Sequence, residues 1–301
     1  MITPWVLITC LAAFANALRF MFQKQLKTAG LSTAGATFAR FFFAAPFVVA
    51  IAMIYAKMTG QGFPTLPRQF WLYVIVGGTS QILATMCVVA LFSLRNFAVG
   101  ITFKKTEVLL SVFIGFIILG DGISLFALIA VFIGLGGVLL LADPPQATGA
   151  WHHRIMNKAV LLGLTSGLFF GFSGVSYRGA SLSIAEGDTF YRAIFAMGFV
   201  VIFQFVTMLI WLRLREAGQI SLVLQAWRGV SLVGLTSMIG TMCWFTAFTL
   251  QSAGYVNAVG QIELLFSIAI GTLVFGEKIS AREWQGLMLL TVSIVMLVLV
   301  I

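Results

Sequence analysis

The sequence predicts an all-α integral membrane protein with ten transmembrane helices arranged as a 5+5 inverted repeat. Three observations carry that expectation. Of the 301 residues, 60% are hydrophobic and only 9% are charged, with a mean hydropathy of +1.06. Soluble domains carry about 25% charged residues, so this chain lacks the polar surface to cover a globule. Apolar runs of about 20 residues, long enough to cross a hydrocarbon core about 30 Å thick, recur along the whole chain. The third observation is internal: residues 78–124 align without a gap on residues 234–280.

The expected spans are 4–22, 35–56, 70–92, 98–119 and 123–142, then 158–177, 189–212, 229–250, 256–275 and 283–301. Residues 1–5 have no basic n-region and their run leads into a multi-span chain, so the first segment reads as a retained helix rather than a cleaved signal. The longest polar interruptions, 57–69, 142–158 and 213–229, are too short to hold a folded soluble domain. Pro144 and Pro145 mark a linker at 143–157 between a first unit, 1–142, and a second, 158–301. In the gapless alignment Thr85, Met86 and Cys87 fall on Thr241, Met242 and Cys243. Glu107 falls on Glu263, Ser111 on Ser267 and Gly115 on Gly271. With small gaps, Arg40 falls on Arg192 and Lys24 on Arg178, while Gly163, Gly167 and Gly171 fall on Thr9, Ala13 and Ala17. Small residues four apart let helix backbones approach closely in lipid. An odd number of helices per unit sends the second unit into the membrane from the opposite side. Secondary transporters built this way hold substrate near the midplane, where the repeats meet.

The net charge of +9 resides mostly in residues between apolar runs, where basic flanks orient helices. No nucleic-acid partner is expected. Cys10, Cys87 and Cys243 each lie within an apolar run and read as packing thiols, so neither a disulfide framework nor a metal site is expected, and no cofactor. His152 and His153 stand in the central linker as solvated residues. No GxxxxGK[ST] motif is present, so nucleotide-driven pumping has no support. An integral-membrane enzyme would need clustered His, Asp, Glu or Cys at a water interface; the two histidines and scattered acids do not form such a cluster. A channel or sensor has no feature of its own in the sequence.

The charges inside the spans carry the functional reading. Residues three and four apart share a helix face, so Gly100, Lys104, Glu107, Ser111 and Gly115 form one small and polar stripe, matched by Val256, Gly260, Glu263, Ser267 and Gly271. Glu107 lies about nine residues into its span, roughly 14 Å deep and close to the midplane. A carboxylate there costs about 2.5–3.5 kcal/mol on the insertion scale. It persists by pairing, by facing water or by holding a proton. Lys104 is a local partner for Glu107, but Gly260 and Gln261 replace the two lysines beside Glu263. Glu263 is therefore expected to couple transport to protons, with a structural hydrogen bond or a substrate contact as alternatives. Glu107 and Lys104 are expected to hold a charged or zwitterionic substrate, assisted by Ser111 and Ser267. Asn16, Arg19 and Gln23 share a face and read as cavity residues or as an interfacial set. Trp244, with Thr241 and Phe248 on its face, reads as an aromatic cavity wall or as packing. Lys105 points opposite Glu107 on a continuous helix and is expected to snorkel. Arg40 and Arg192 read as structural anchors near span starts, with a substrate contact as the alternative, and Asp121, Glu277 and Lys278 as turn residues that cap helices.

A repeat whose fourth helices end in "GDGIS" (120–124) and "GEKIS" (276–280), with an arginine in "FARFFFA" (38–44) and "FYRAIFA" (190–196), resembles the drug/metabolite transporter superfamily, EamA type. The resemblance implies ten helices around a central cavity and alternating access. Many relatives carry a proline in the middle of the fourth helix, where this chain has "KTEV" (105–108) and "QIEL" (261–264). The resulting expectation is a secondary active transporter that exports a small polar or zwitterionic, amino-acid-like metabolite in exchange for protons. Uptake or exchange without proton coupling is the alternative. The expected partners are a small-molecule substrate, protons and the lipid bilayer, with the chain a monomer or homodimer. No transit-peptide-like extension is present, so the cell inner membrane is the expected location. The loops after odd-numbered helices hold most of the Lys and Arg, which places both termini outside the cytoplasm by the positive-inside rule; the resemblance implies both inside.

Overall fold

In the computed structural model, residues 3–95, 97–108, 110, 114, 117, 124–142 and 158–299 are described. Long helices dominate, and there is no strand among the described residues. Helix α1 (Pro4–Thr28) begins with proline at its first turn, where the missing N–H has no intrahelical partner to lose. It ends before Gly30, whose positive φ turns the chain back. Helix α2 (Thr33–Thr59) is capped by Ser32, which accepts from Gly35 N at 2.9 Å, and stops at the left-handed Gly60. Helix α3 (Arg68–Leu91) leads into a short α4 (Phe97–Lys104). There the fourth segment breaks: Lys105 is a turn residue, and helix resumes at 106–108. Helices α5 (Leu125–Ala142), α6 (Lys158–Leu182) and α7 (Thr189–Arg215) follow. A short α8 (Gln219–Gln225) precedes α9 (Trp227–Leu250). The ninth segment is also broken, into α10 (Ala253–Val259), a 3₁₀ turn (Gly260–Ile262) and α11 (Glu263–Leu273), before α12 (Ala281–Leu299). Continuous helices were the expectation for 98–119 and 256–275. The two interruptions fall at aligned positions, 104–105 and 260–262.

Among the described residues, seven helices are long and apolar enough to cross a membrane: α1, α2, α3, α6, α7, α9 and the composite 253–273. The chain is thus an all-helical, multi-pass membrane protein. Its most extensive packing pairs α3 with α6, α1 with α9, α5 with α12 and α2 with α7, while α4 meets α11. Every one of these pairs joins a helix before the central linker to one after it. Close approach is built into the α3–α6 contact: a Cβ on Gly77 would stand 2.8 Å from Ser176 Cβ. Small residues gain dispersion contact where lipid supplies no hydrophobic drive between helices.

Polar ties close both ends of the bundle. On the face where α1 ends, Lys24 Nζ lies 2.5 Å from Glu277 Oε1, which also accepts from Phe97 N at 2.7 Å, and Ser32 donates to Glu216. Glu277 therefore caps the N-terminus of α4, a helix from the other half of the chain. On the opposite face Arg178 donates to the carbonyls of Phe248 (2.8 Å) and Gln251 (2.6 Å), and Tyr55 Oη donates to Asp188 at 2.8 Å. Asp188 also caps α7, accepting from Tyr191 N at 2.9 Å. Chiefly through that N–H, its carboxyl is held below the ordinary carboxylate range. A pKa lowered by folding adds stability above the unfolded value, which is lost as pH falls through the folded one. Replacing Asp188 by Ala is therefore expected to cost about 1 kcal/mol at neutral pH, the usual value of an N-cap. Thermal unfolding in detergent should show that difference shrinking as the pH falls below the ordinary aspartate value of about 3.9. An unchanged difference at low pH would assign the effect to packing instead.

Candidate functional site

The two helix breaks face each other in the interior and bring four charges together. Lys105 Nζ lies 2.6 Å from Glu263 Oε2, and Lys104 Nζ lies 3.0 Å from the same oxygen. Asn16 Nδ2 donates to the other oxygen, Oε1, at 2.8 Å. Glu107 is held more loosely, 3.3 Å from Lys104 and 3.8 Å from Lys105. Lys105 Nζ also reaches the Gly260 carbonyl at 3.2 Å, within the 3₁₀ turn. A break in the helical ladder at membrane depth needs such a partner, since lipid offers no hydrogen bonds. Room for the first break comes from α6: a Cβ on Gly167 would fall 1.8 Å from Thr106 Oγ1 and 3.0 Å from Glu107 N.

Two expectations are corrected here. Glu263 was expected to have no cation beside it, yet it is the more tightly paired of the two carboxylates. Its partners come from the other half of the chain, out of reach of local spacing. Lys105 was expected to snorkel outward. Because the helix breaks at that residue, its direction is no longer set by the turn before it, and its side chain is buried against Glu263.

Beside the cluster lies a cavity of about 40 Å³, lined by Asn16, Lys104 and Glu107 and by residues of α2, α3, α6, α9 and α10. In this conformation that space has room for a few waters and is smaller than a small-molecule site. Arg40 crosses it. Its Nε donates to Ser237 Oγ (2.9 Å), Nη1 to Thr85 Oγ1 (3.2 Å) and Nη2 to Thr241 Oγ1 (3.1 Å). The Gln81 amide satisfies its neighbours with its oxygen toward Arg40, accepting from Nη1 at 2.6 Å and Nη2 at 3.0 Å, and its nitrogen toward Ser173 Oγ. In the sequence alignment Thr85 matches Thr241, and Gln81 matches Ser237. Equivalent residues of the two halves thus grip one guanidinium from both sides. Arg40 therefore ties α2 to α3 and α9 and also lines the cavity, which agrees with a structural anchor and leaves a substrate contact open.

The aromatic wall is Trp244 stacked on Phe248 (ring centroids 5.5 Å apart), with Phe170 and Tyr177 opposite in the lining. Arg19 is buried but does not line the cavity; it donates to Asn16 Oδ1 (3.0 and 2.5 Å) and to Gln23 Oε1 (2.8 Å), and so orients Asn16. Ser267 is fully buried outside the lining, and its hydroxyl has no hydrogen-bond partner among the described residues. Ser111, also expected to bind substrate, lies outside the described residues, as do Gly115, Asp121, His152 and His153. Sequence reasoning missed Gln81, Ser173, Tyr177 and Asn257, all in the lining. The repeat alignment held a signal for one of them, since Gln81 stands opposite Ser237 four residues before the matched threonines.

The buried charges do not balance. Among the described residues, Arg19, Arg40, Lys104 and Lys105 are buried against only two buried carboxylates, Glu107 and Glu263. Neither arginine has an ion-pair partner among the described residues. An excess of buried positive charge is costly unless a ligand supplies the anion.

The profile of the EamA-like transporter family matches residues 3–142 and again 157–299. No curated protein matches the chain. Among solved structures, a crystal structure of a protein 13% identical aligns over 97% of this chain and 96% of its own, with a TM-score of 0.66. At that identity the likeness is one of fold.

Proposed function

The chain belongs to the EamA-like transporter family, and from that premise we propose that it is a secondary active transporter for a small, polar or zwitterionic metabolite bearing a carboxylate. In this reading ten helices form two inverted five-helix units, 1–142 and 158–301, in a cell inner membrane. The repeated family match, the aligned helix breaks and the pairing of helices across the linker support the architecture. The observation that carries the substrate class is the cavity at Arg40, whose guanidinium has only neutral partners among the described residues. A substrate carboxylate adds the missing negative charge, with Asn16, Lys104 and Glu107 placed to contact the remaining polar groups and Trp244 to cover the apolar part. Alternating access then opens one set of end ties while the other holds: Lys24–Glu277 and Ser32–Glu216 on one face, Tyr55–Asp188 and Arg178 with its two carbonyls on the other.

Proton coupling resides in the Lys104–Lys105–Glu107–Glu263 cluster. Glu107 lines the cavity and is the carboxylate that exchanges protons with it, while Glu263 positions both lysines. This divides a role that the sequence assigned to Glu263 alone. Reconstitution with a pH-sensitive dye inside the vesicles, an imposed pH gradient and a panel of amino acids, nucleosides and organic cations tests the reading. The expected result is substrate-dependent proton movement for a carboxylated compound, abolished by Glu107→Gln, in which substrate binds more weakly but still binds. Substrate flux without proton movement would instead establish uncoupled uptake or exchange. Proton coupling that survives Glu107→Gln but is lost in Glu263→Gln would return the role to Glu263.

A further inference from the structure

A second cavity opens on the outer wall of the bundle, between α2 and α7 at the end where α2 finishes. It has a volume of about 460 Å³ and is lined by Val49, Met53, Phe195, Phe199, Ile202 and neighbouring small residues. Two polar groups stand at its mouth. Lys57 lies exposed in the last turn of α2, the depth at which a lysine meets lipid headgroups. Gln61 also lines the groove, with its Oε1 buried beside Gly187. Phe63 forms the rim, 74% exposed, its ring edge-on to Phe195 and Phe199.

The other end of the same helix pair shows what a filled groove looks like. There α8 packs against α2 and α7, with Val223 only 1% exposed in a cluster that includes Met208 and Leu212. Gln219 follows the left-handed Gly218 as Gln61 follows the left-handed Gly60, and its Oε1 accepts from Ser32 N at 2.9 Å. At the α8 end the chain itself supplies the apolar filling and the donor. At the open end no helix fills the groove, and Lys57 stands exposed in its lining.

We propose that this groove binds one anionic phospholipid. The acyl chain lies on Met53, Phe195, Phe199 and Ile202, and the phosphate meets Lys57. A free anion would leave the apolar wall uncovered, and a zwitterionic lipid carries its own ammonium beside the phosphate that Lys57 would meet.

Native mass spectrometry of the full chain with phosphatidylglycerol and phosphatidylcholine tests this independently of any transport assay. The wild type is expected to retain one phosphatidylglycerol at least about tenfold more tightly than phosphatidylcholine, the scale of one charge-assisted hydrogen bond. Lys57→Ala should erase that preference. Gly198→Phe should remove the bound lipid, because a Cβ at Gly198 meets only Val48 Cγ1, at 3.9 Å, and a ring there fills the groove. Equal retention of the two lipids by the wild type, or an unchanged bound lipid in folded Gly198→Phe, would overturn the assignment. If that variant does not fold, the exposed Lys57→Ala decides it alone: an unchanged preference overturns the site.

Discussion

Glu263→Ala is expected to destabilise the protein by about 3–5 kcal/mol, the cost of removing one partner from a buried ion pair. The effect is large because two ammonium groups, 2.6 and 3.0 Å from Glu263 Oε2, then face Glu107 alone. Water cannot compensate them at that depth. The Gly260 carbonyl would remain as a neutral partner for Lys105, and Asn16 would lose its acceptor. The double variant Lys105→Met/Glu263→Leu removes one charge of each sign and leaves Lys104 with Glu107 at 3.3 Å. Replacing a buried pair by apolar residues is commonly neutral to stabilising by about 1–4 kcal/mol. Unfolding in detergent or mixed micelles, run as a full double-mutant cycle, measures the coupling. If Glu263→Ala is no less stable than the double variant, the cluster is not held together by charge.

Arg40→Lys is expected to weaken substrate binding by about 10–150-fold, the equivalent of one or two hydrogen bonds to a charged group. Lysine keeps the charge but not the planar fork that can meet a carboxylate with two parallel N–H groups. It also cannot hold Ser237, Thr85, Thr241 and Gln81 at once, so some stability is lost as well. The informative readout is therefore the concentration dependence of transport in a variant shown to be folded. A raised KM with a modest change in kcat fits an anion anchor. An unchanged KM with lowered stability would make Arg40 a clamp between the two halves and remove the basis for a carboxylated substrate.

Much of the fold was legible before any coordinates. Membrane insertion follows from 60% hydrophobic residues in runs of spanning length, because backbone groups in lipid must be satisfied within a helix. The repeat follows from matched residues at one offset. Glu107, Lys104, Asn16 and Trp244, singled out in the sequence, line one cavity, since a polar residue in an apolar span persists by facing the interior. The helix breaks were not legible. Neither "KKTE" nor "GQIE" contains a proline, and an unbroken 3.6-residue period was the natural reading. That error carried Lys105 to the wrong face, since the period loses its phase at an interruption.

What the sequence by itself determined was the class of protein: helical, membrane-spanning and internally repeated, with charges inside its apolar segments. Those properties are set by local chemistry, by the transfer cost of each side chain and the periodicity of one helix at a time. What only the tertiary structure decided was the partnership of the charges. Glu263 lies 158 and 159 positions from its two lysines in sequence, and Arg40 lies 197 and 201 positions from Ser237 and Thr241. Such contacts depend on how helices from the two halves pack, and burial makes them strong, because inside the membrane a charge must find its partner within the protein.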